Sequence, residues 1–155
     1  MKSAQSDEVA LLREEIAHMN SASIHLRVSV ERCAEISESE EDVNLETQER
    51  LEALSSRFAR LADILTQRVM RLIDEIELSP GETLLDRIFQ AEKRGWVTHA
   101  DQLIRIRKLR NTIAHDYAAE NRVTIYAEIQ ELSPELLTIV SKVISYAESL
   151  SKRFL

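Results

Sequence analysis

VALLREEIAHMNSASIHLRVSVERC, residues 9–33, decides the fold class. Within it Val9, Leu12, Ile16, Met19, Ser23, Leu26, Val30 and Cys33 recur alternately three and four apart. That period lines all of them along one face of a helix, whereas a strand would alternate by two. The spacing predicts one long amphipathic helix from about Ser6 to Ser37. Next to it, Glu38-Ser39-Glu40-Glu41-Asp42 has no apolar partner and reads as a solvated connection. A second stripe, Leu51, Leu54, Phe58, Leu61, Leu65, Leu72 and Ile76, predicts a helix that begins near Asn44 or Thr47. Ser79-Pro80-Gly81 stops it, because Pro cannot continue the hydrogen-bond ladder. Thr83, Leu84, Leu85, Ile88, Phe89 and Ala91 make a shorter third helix closed by Gly95. Thr98-His99-Ala100-Asp101 has the form of a capping box and opens a fourth helix running to about Ala119. After a break at Asn121 comes a helical piece from Val123 to Leu132. Ser133-Pro134-Glu135 then reads as an N-cap with Pro in the first turn, opening a last helix striped by Leu136, Val140, Val143, Ala147, Leu150 and Phe154.

Composition agrees. The 155 residues suit a single domain over residues 1–155, and two Gly with two Pro are too few for the turns of a β-sandwich, a barrel or a Rossmann-type fold. No glycine-rich phosphate loop can be written. With 44% hydrophobic and 30% charged residues, the chain has the make-up of long amphipathic helices. The expected fold is all-α, an antiparallel four-helix up-and-down bundle with additional short helices, and stripes this long also suit a homodimer interface. The single cysteine, Cys33, leaves no internal disulfide and no Cys-cluster metal site, so a reducing, cytoplasmic location and no bound metal or cofactor are expected. With no N-terminal apolar stretch and no run of 18 apolar residues, neither a signal peptide nor a transmembrane span is expected. A net charge of −7 argues against coating nucleic acid by bulk attraction, but not against a local basic site.

The segment around the fourth helix is where such a site would lie. Lys93 to Arg122 carries seven basic residues (Lys93, Arg94, Arg105, Arg107, Lys108, Arg110, Arg122) against Asp101, Asp116 and Glu120, so it is +4 while the remainder is −11. On a helical wheel Leu103, Ile106, Leu109, Ile113 and Tyr117 fall within roughly 120°, and Arg110 falls inside that arc. A guanidinium on a core-facing stripe needs a carboxylate, a carbonyl or a ligand phosphate. Its structural explanation is a pair with a buried acid such as Asp63 or Asp74. For the stripe as a whole, the corresponding explanation is pairing with acidic faces of neighbouring helices. His115 lies about 140° from Arg110 on an ideal helix, so a shared site needs a curled arginine, a bend, or a second copy of the helix. Asn111 is four residues before His115 and can touch it. His18 and His25 share a face of the first helix but lack a third metal ligand in the sequence, which suits a surface or interface role.

Arg110-Asn111-Thr112-Ile113-Ala114-His115-Asp116-Tyr117 resembles the Arg-x(4)-His-x-Tyr signature of HEPN domains in the HepT-type toxin branch. The resemblance covers eight residues; elsewhere the chain is similar only in architecture. It implies a metal-independent endoribonuclease that works as a homodimer, with two signature helices facing each other across a two-fold axis. RNA cleavage of that kind uses the 2′-hydroxyl as nucleophile. Under the resemblance His115 moves protons, as an imidazole can near neutral pH, and Arg110 grips the phosphate and its developing charge. The same resemblance gives Asn111 the role of orienting His115 or capping the turn, and Arg107 and Lys108 that of holding flanking phosphates of a tRNA or mRNA substrate. The resemblance also implies that Tyr117 is the residue to which an MNT-type nucleotidyltransferase antitoxin attaches AMP, placing negative charge and bulk beside Arg110; its structural explanation is a core aromatic with a bonded hydroxyl. The alternative is a non-catalytic nucleotide- or substrate-binding partner of such a nucleotidyltransferase. A plain helical scaffold with structural Arg and His is the third reading.

Overall fold

The structure, a computed structural model, describes residues 2–36, 44–79, 81–115 and 122–154. They form helices α1 (Lys2–Cys33), α2 (Leu45–Asp63), α3 (Met70–Ile76), α4 (Leu84–Lys93), α5 (Asp101–Ala114) and α6 (Arg122–Lys152), and no strand occurs among them. A π-helical segment, Ile64–Val69, joins α2 to α3. The fold is all-helical, as the periodicity predicts. Within the α1 stripe, Val9, Leu12, Met19, Ser23, Leu26 and Cys33 are buried, with Ile16 and Val30 packed partly against the core. α1 lies against α2, α3, α6 and the π segment; α2 also meets α5 and α6; α5 packs on α6. Phe58, Leu61, Leu65, Leu103 and Ile106 are fully enclosed where these helices meet. No helix among the described residues is long and apolar enough to cross a membrane.

Several boundaries differ from the sequence expectation, each for an identifiable reason. Asn44 is the N-cap of α2, its Oδ1 accepting from the Glu46 N–H at 2.7 Å. The helix beyond it widens instead of running straight: the Met70 N–H bonds to the Leu65 carbonyl, five residues back. Ile64, Leu65 and Thr66 are consequently buried in succession, and the Thr66 hydroxyl donates to the Ala62 carbonyl at 2.8 Å. α3 ends at Ile76, before Ser79: Leu78 takes φ 54°, with its N–H on Glu75 O and the Ser79 N–H on Asp74 O. That is a Schellman closure with leucine at the left-handed position. α4 ends in the same closure with Gly95 at φ 78°.

The capping box expected at Thr98–Asp101 is not formed. The box lies at Thr83–Asp86, on α4, whereas α5 has Ala100 at its N-cap with no side-chain bond. Gln102 Oε1 instead accepts from the Thr98 N–H (2.9 Å), and Glu92 Oε2 accepts from the Ala100 N–H (2.7 Å). The expected break at Ser133-Pro134 is also absent; α6 runs straight through Pro134. An interior Pro costs about 3 kcal/mol. Ile129, Leu132, Leu136, Ile139, Val140 and Val143 are buried on this one continuous helix, each contributing about 1.5–3 kcal/mol, so burial outweighs the missing bond. Finally, α5 stops at Ala114, short of Ala119, and His115 is extended (φ −95°, ψ 140°). Asn111, Thr112, Ala114 and His115 are all exposed, so little burial at this end favours prolonging the helix, and Asn111, Thr112 and His115 are weak helix formers. The expected break at Asn121 falls outside the described residues.

Candidate functional site

α5 presents Leu103, Ile106 and Leu109 to the core and holds Arg110 at the margin of that buried face. The guanidinium meets α2: Nε and Nη2 donate to the two carboxylate oxygens of Asp63 at 2.7 and 2.8 Å. Arg107, one turn earlier, donates Nη1 to the same Oδ1 at 2.9 Å. Of the two acids named for the structural explanation, Asp63 is the one used. The pair is not deeply buried, with side chains 27% (Arg110) and 34% (Asp63) exposed. The Asp63 hydrogen bonds push the Arg110 guanidinium above its already high range, against a smaller opposing effect of burial. Two of the five guanidinium N–H donors go to Asp63, and Nη1 leans on Asn111 Oδ1 at 3.5 Å, the limit of a hydrogen bond.

His115 leaves the helix just beyond this point. Its backbone N–H still bonds the Asn111 carbonyl at 3.2 Å, but its side chain is exposed and makes no hydrogen bond among the described residues. Its Cα therefore keeps the helical register, about 140° around from Arg110, and only the chain after it departs from α5. Asn111 touches Arg110 with its side chain and His115 through its backbone. Lys108 is exposed, its carbonyl accepting from the Thr112 hydroxyl at 3.0 Å. Tyr117, and with it the expected register between Tyr117 and Arg110, lies outside the described residues.

The basic segment is less open than its charge count suggests. Arg105 pairs with Glu131 of α6 at 3.4 Å, and Arg107 and Arg110 share Asp63. Arg94 is enclosed: it bonds Asp74 at 2.6 Å and Glu77 at 3.1 Å, and stacks over Trp96 at 5.1 Å. Trp96 is buried edge-on to Tyr146, whose hydroxyl donates to Glu77. Burial pushes the Asp74 carboxyl up, with the Arg94 bond and charge opposing it. Pairing with neighbouring helices is thus what the structure provides for these four arginines.

Sequence reasoning did not single out a groove on the other side of Asp63. Asp63 lines a concavity of about 680 Å³ together with His18, His25, Arg60, Ile64 and Arg68. The signal was present in part, as the His18/His25 spacing, but the arginines come from a helix whose phase changes midway. No family model, curated protein or solved structure matches this chain. The reading of the site therefore rests on its own chemistry.

Proposed function

We propose that the chain is a HEPN-like up-and-down bundle acting as a homodimeric, metal-independent endoribonuclease, and that it is the toxin of a pair whose MNT-type antitoxin attaches AMP to Tyr117. The observation that supports this reading most is the Arg107–Asp63–Arg110 cluster at the surface. One carboxylate fixes two guanidiniums and leaves a net positive charge, with Arg110 donors still unused beside Asn111 and close in sequence to His115. Asp63 acts as a positioning residue and Arg110 as the phosphate ligand. In the reaction the 2′-oxygen attacks phosphorus after losing its proton to a base, and the 5′-oxygen leaves with a proton. The products are a 2′,3′-cyclic phosphate and a 5′-hydroxyl. His115 serves one or both proton transfers, and Arg110 stabilises the extra charge on the phosphorane.

The test is cleavage of a labelled RNA by pure protein in EDTA, with 2′,3′-cyclic ends as product. Arg110→Ala and His115→Ala should each lower the rate by about 10²- to 10³-fold while the protein stays folded. Equal cleavage by wild type and both variants, or none by wild type, refutes the reading. Intact mass after co-expression with a partner nucleotidyltransferase should rise by whole AMP units on Tyr117.

One observation favours a second reading, a non-catalytic nucleotide-holding partner of a nucleotidyltransferase: the His115 imidazole has no orienting bond among the described residues while Arg110 is already held. Nucleotide binding without any RNA cleavage by pure protein would select it.

A further inference from the structure

We propose that the groove between α1 and α2 is a second anion-binding site, which carries the phosphate backbone of a single RNA strand toward Arg110; this rests on the ribonuclease reading. The groove floor is built of small side chains, Ser21 and Ala22 from α1 and Ser56 from α2, which let a chain approach the helices. Two arginines, Arg60 and Arg68, line the groove and are exposed, beside the exposed His18 and His25. A smaller depression of about 320 Å³ shares Ala22, His25, Ser56 and Arg60 with it and adds Arg57. The groove therefore continues along the helices past the first concavity.

These cations are positioned. Arg57 donates to the Ser29 hydroxyl at 2.7 Å and to the His25 carbonyl at 3.2 Å. Glu15 lies 3.5 Å from Arg68 and 3.7 Å from His18, holding both at the rim. The Arg60 guanidinium has no hydrogen bond or ion pair among the described residues. The one acid lining the groove, Asp63, is neutralised by Arg107 and Arg110, and it is the point at which the groove reaches the candidate site.

The π segment contributes to this arrangement. On an uninterrupted α-helix Arg68 would sit about 80° around from Arg60. A π turn acts as one inserted residue and sets the following residues back by about 100°. Arg68 thus returns to within roughly 20° of Arg60, about 10.5 Å further along the axis, on the same wall. In a protein of net charge −7 the groove gathers Arg57 and Arg60, which have no acidic partner among the described residues, with Arg68, which shares Glu15, so positive charge is concentrated along a strip that ends at the Asp63 cluster.

The test is fluorescence anisotropy of a labelled single-stranded 12-mer RNA with full-length His115→Ala, so that no cleavage intervenes, over 0.05–0.5 M salt. Adding Arg60→Ala and Arg68→Ala should lower the slope of log affinity against log salt by about 1.4 and weaken binding roughly 25-fold at 0.1 M, from two lost phosphate contacts. The pair Arg71→Ala/Lys142→Ala, away from the groove, should change the slope far less; thermal melts verify folding of each variant. An unchanged slope and affinity in the groove variant overturns the proposal. So does displacement of the RNA by poly-glutamate as effectively as by unlabelled RNA, which would assign the groove to an acidic protein. If wild type cleaves RNA but the groove variant binds normally, the groove fails and the nuclease reading stands. If wild type cleaves nothing yet binding depends on Arg60 and Arg68, the nuclease reading fails and the groove stands.

Discussion

Replacing Asp63 by Asn removes the charge that holds two arginines while keeping the side-chain volume. Asp63 accepts bonds of 2.7 and 2.8 Å from Arg110 and 2.9 Å from Arg107. Charge-assisted hydrogen bonds are worth about 1.5–3 kcal/mol when sheltered, whereas exposed ion pairs give about 0.2–1 kcal/mol. With Asp63 34% and Arg110 27% exposed, solvent screening moves the value toward the lower range. Asp63→Asn should cost about 1–2 kcal/mol, or a Tm drop of roughly 3–6 °C for a chain of this size. In a double-mutant cycle with Arg110→Met, the coupling energy should be about 1 kcal/mol. Urea unfolding followed by circular dichroism measures all four proteins, at one fixed protein concentration because an oligomer makes stability concentration-dependent. A coupling below about 0.3 kcal/mol would refute the reasoning, since the two side chains would then act independently. If Asp63 also positions Arg110 for phosphate, Asp63→Glu should recover part of the cleavage rate that Asp63→Asn loses. A purely stabilising carboxylate would give no such recovery in folded protein.

Two further outcomes follow from the helix ends and the buried polar cluster. Leu78 is 81% exposed and sits at φ 54°, so Leu78→Gly relieves left-handed strain and should raise stability by about 0.5–1 kcal/mol in the same urea assay, whereas a loss would contradict the Schellman geometry. Burial first, then the Glu77 hydrogen bond, raises the Tyr146 phenol above its ordinary 10.0. The unfolded chain then releases this proton before the folded one does, so stability from Tyr146 is complete below pH 10 and is lost as pH rises past it. Tyr146→Phe should lose about 1 kcal/mol at neutral pH but show a shallower fall above pH 10, and an unaltered alkaline slope in pH-dependent melts would count against the linkage.

How far the molecule can be read from its sequence depends on whether the deciding interaction is local. The helices were legible because burial enforces a 3.6-residue period: Val9, Leu12, Met19 and Leu26 are buried where that period places them. Boundaries were less legible. Pro134 carries the local signature of a helix start, but Leu132 and Leu136 flank it on one buried stripe, and that tertiary term decides. Thr98 and Asp101 have the spacing of a capping box, yet the Gln102 and Glu92 carboxamide and carboxylate supply the bonds instead. The π turn left no local mark in the sequence; in the structure Ile64, Leu65, Thr66 and Val69 are buried along it. In the candidate site, the wheel position of Arg110 correctly demanded a partner. Choosing Asp63 over Asp74 required knowing that Arg94 occupies Asp74.

The two arginine clusters of this chain provide an internal standard for interpreting Arg110. At Arg94 a single guanidinium faces two acids, Asp74 and Glu77, is covered by Trp96, and pairs with Asp74 at side-chain exposures of only 9% and 6%. Such an arrangement leaves no cation for a ligand, and water is nearly excluded, as expected of a lock between helices. At Asp63 the stoichiometry is reversed: one acid, two arginines, and roughly twofold to sixfold more exposure. A fold that needed only an internal tie would gain nothing from the second guanidinium, whose repulsion by the first must be overcome. An anion arriving at the surface removes that repulsion. The excess charge, more than the position of either arginine, is what supports the proposal of a phosphate site at this margin of α5.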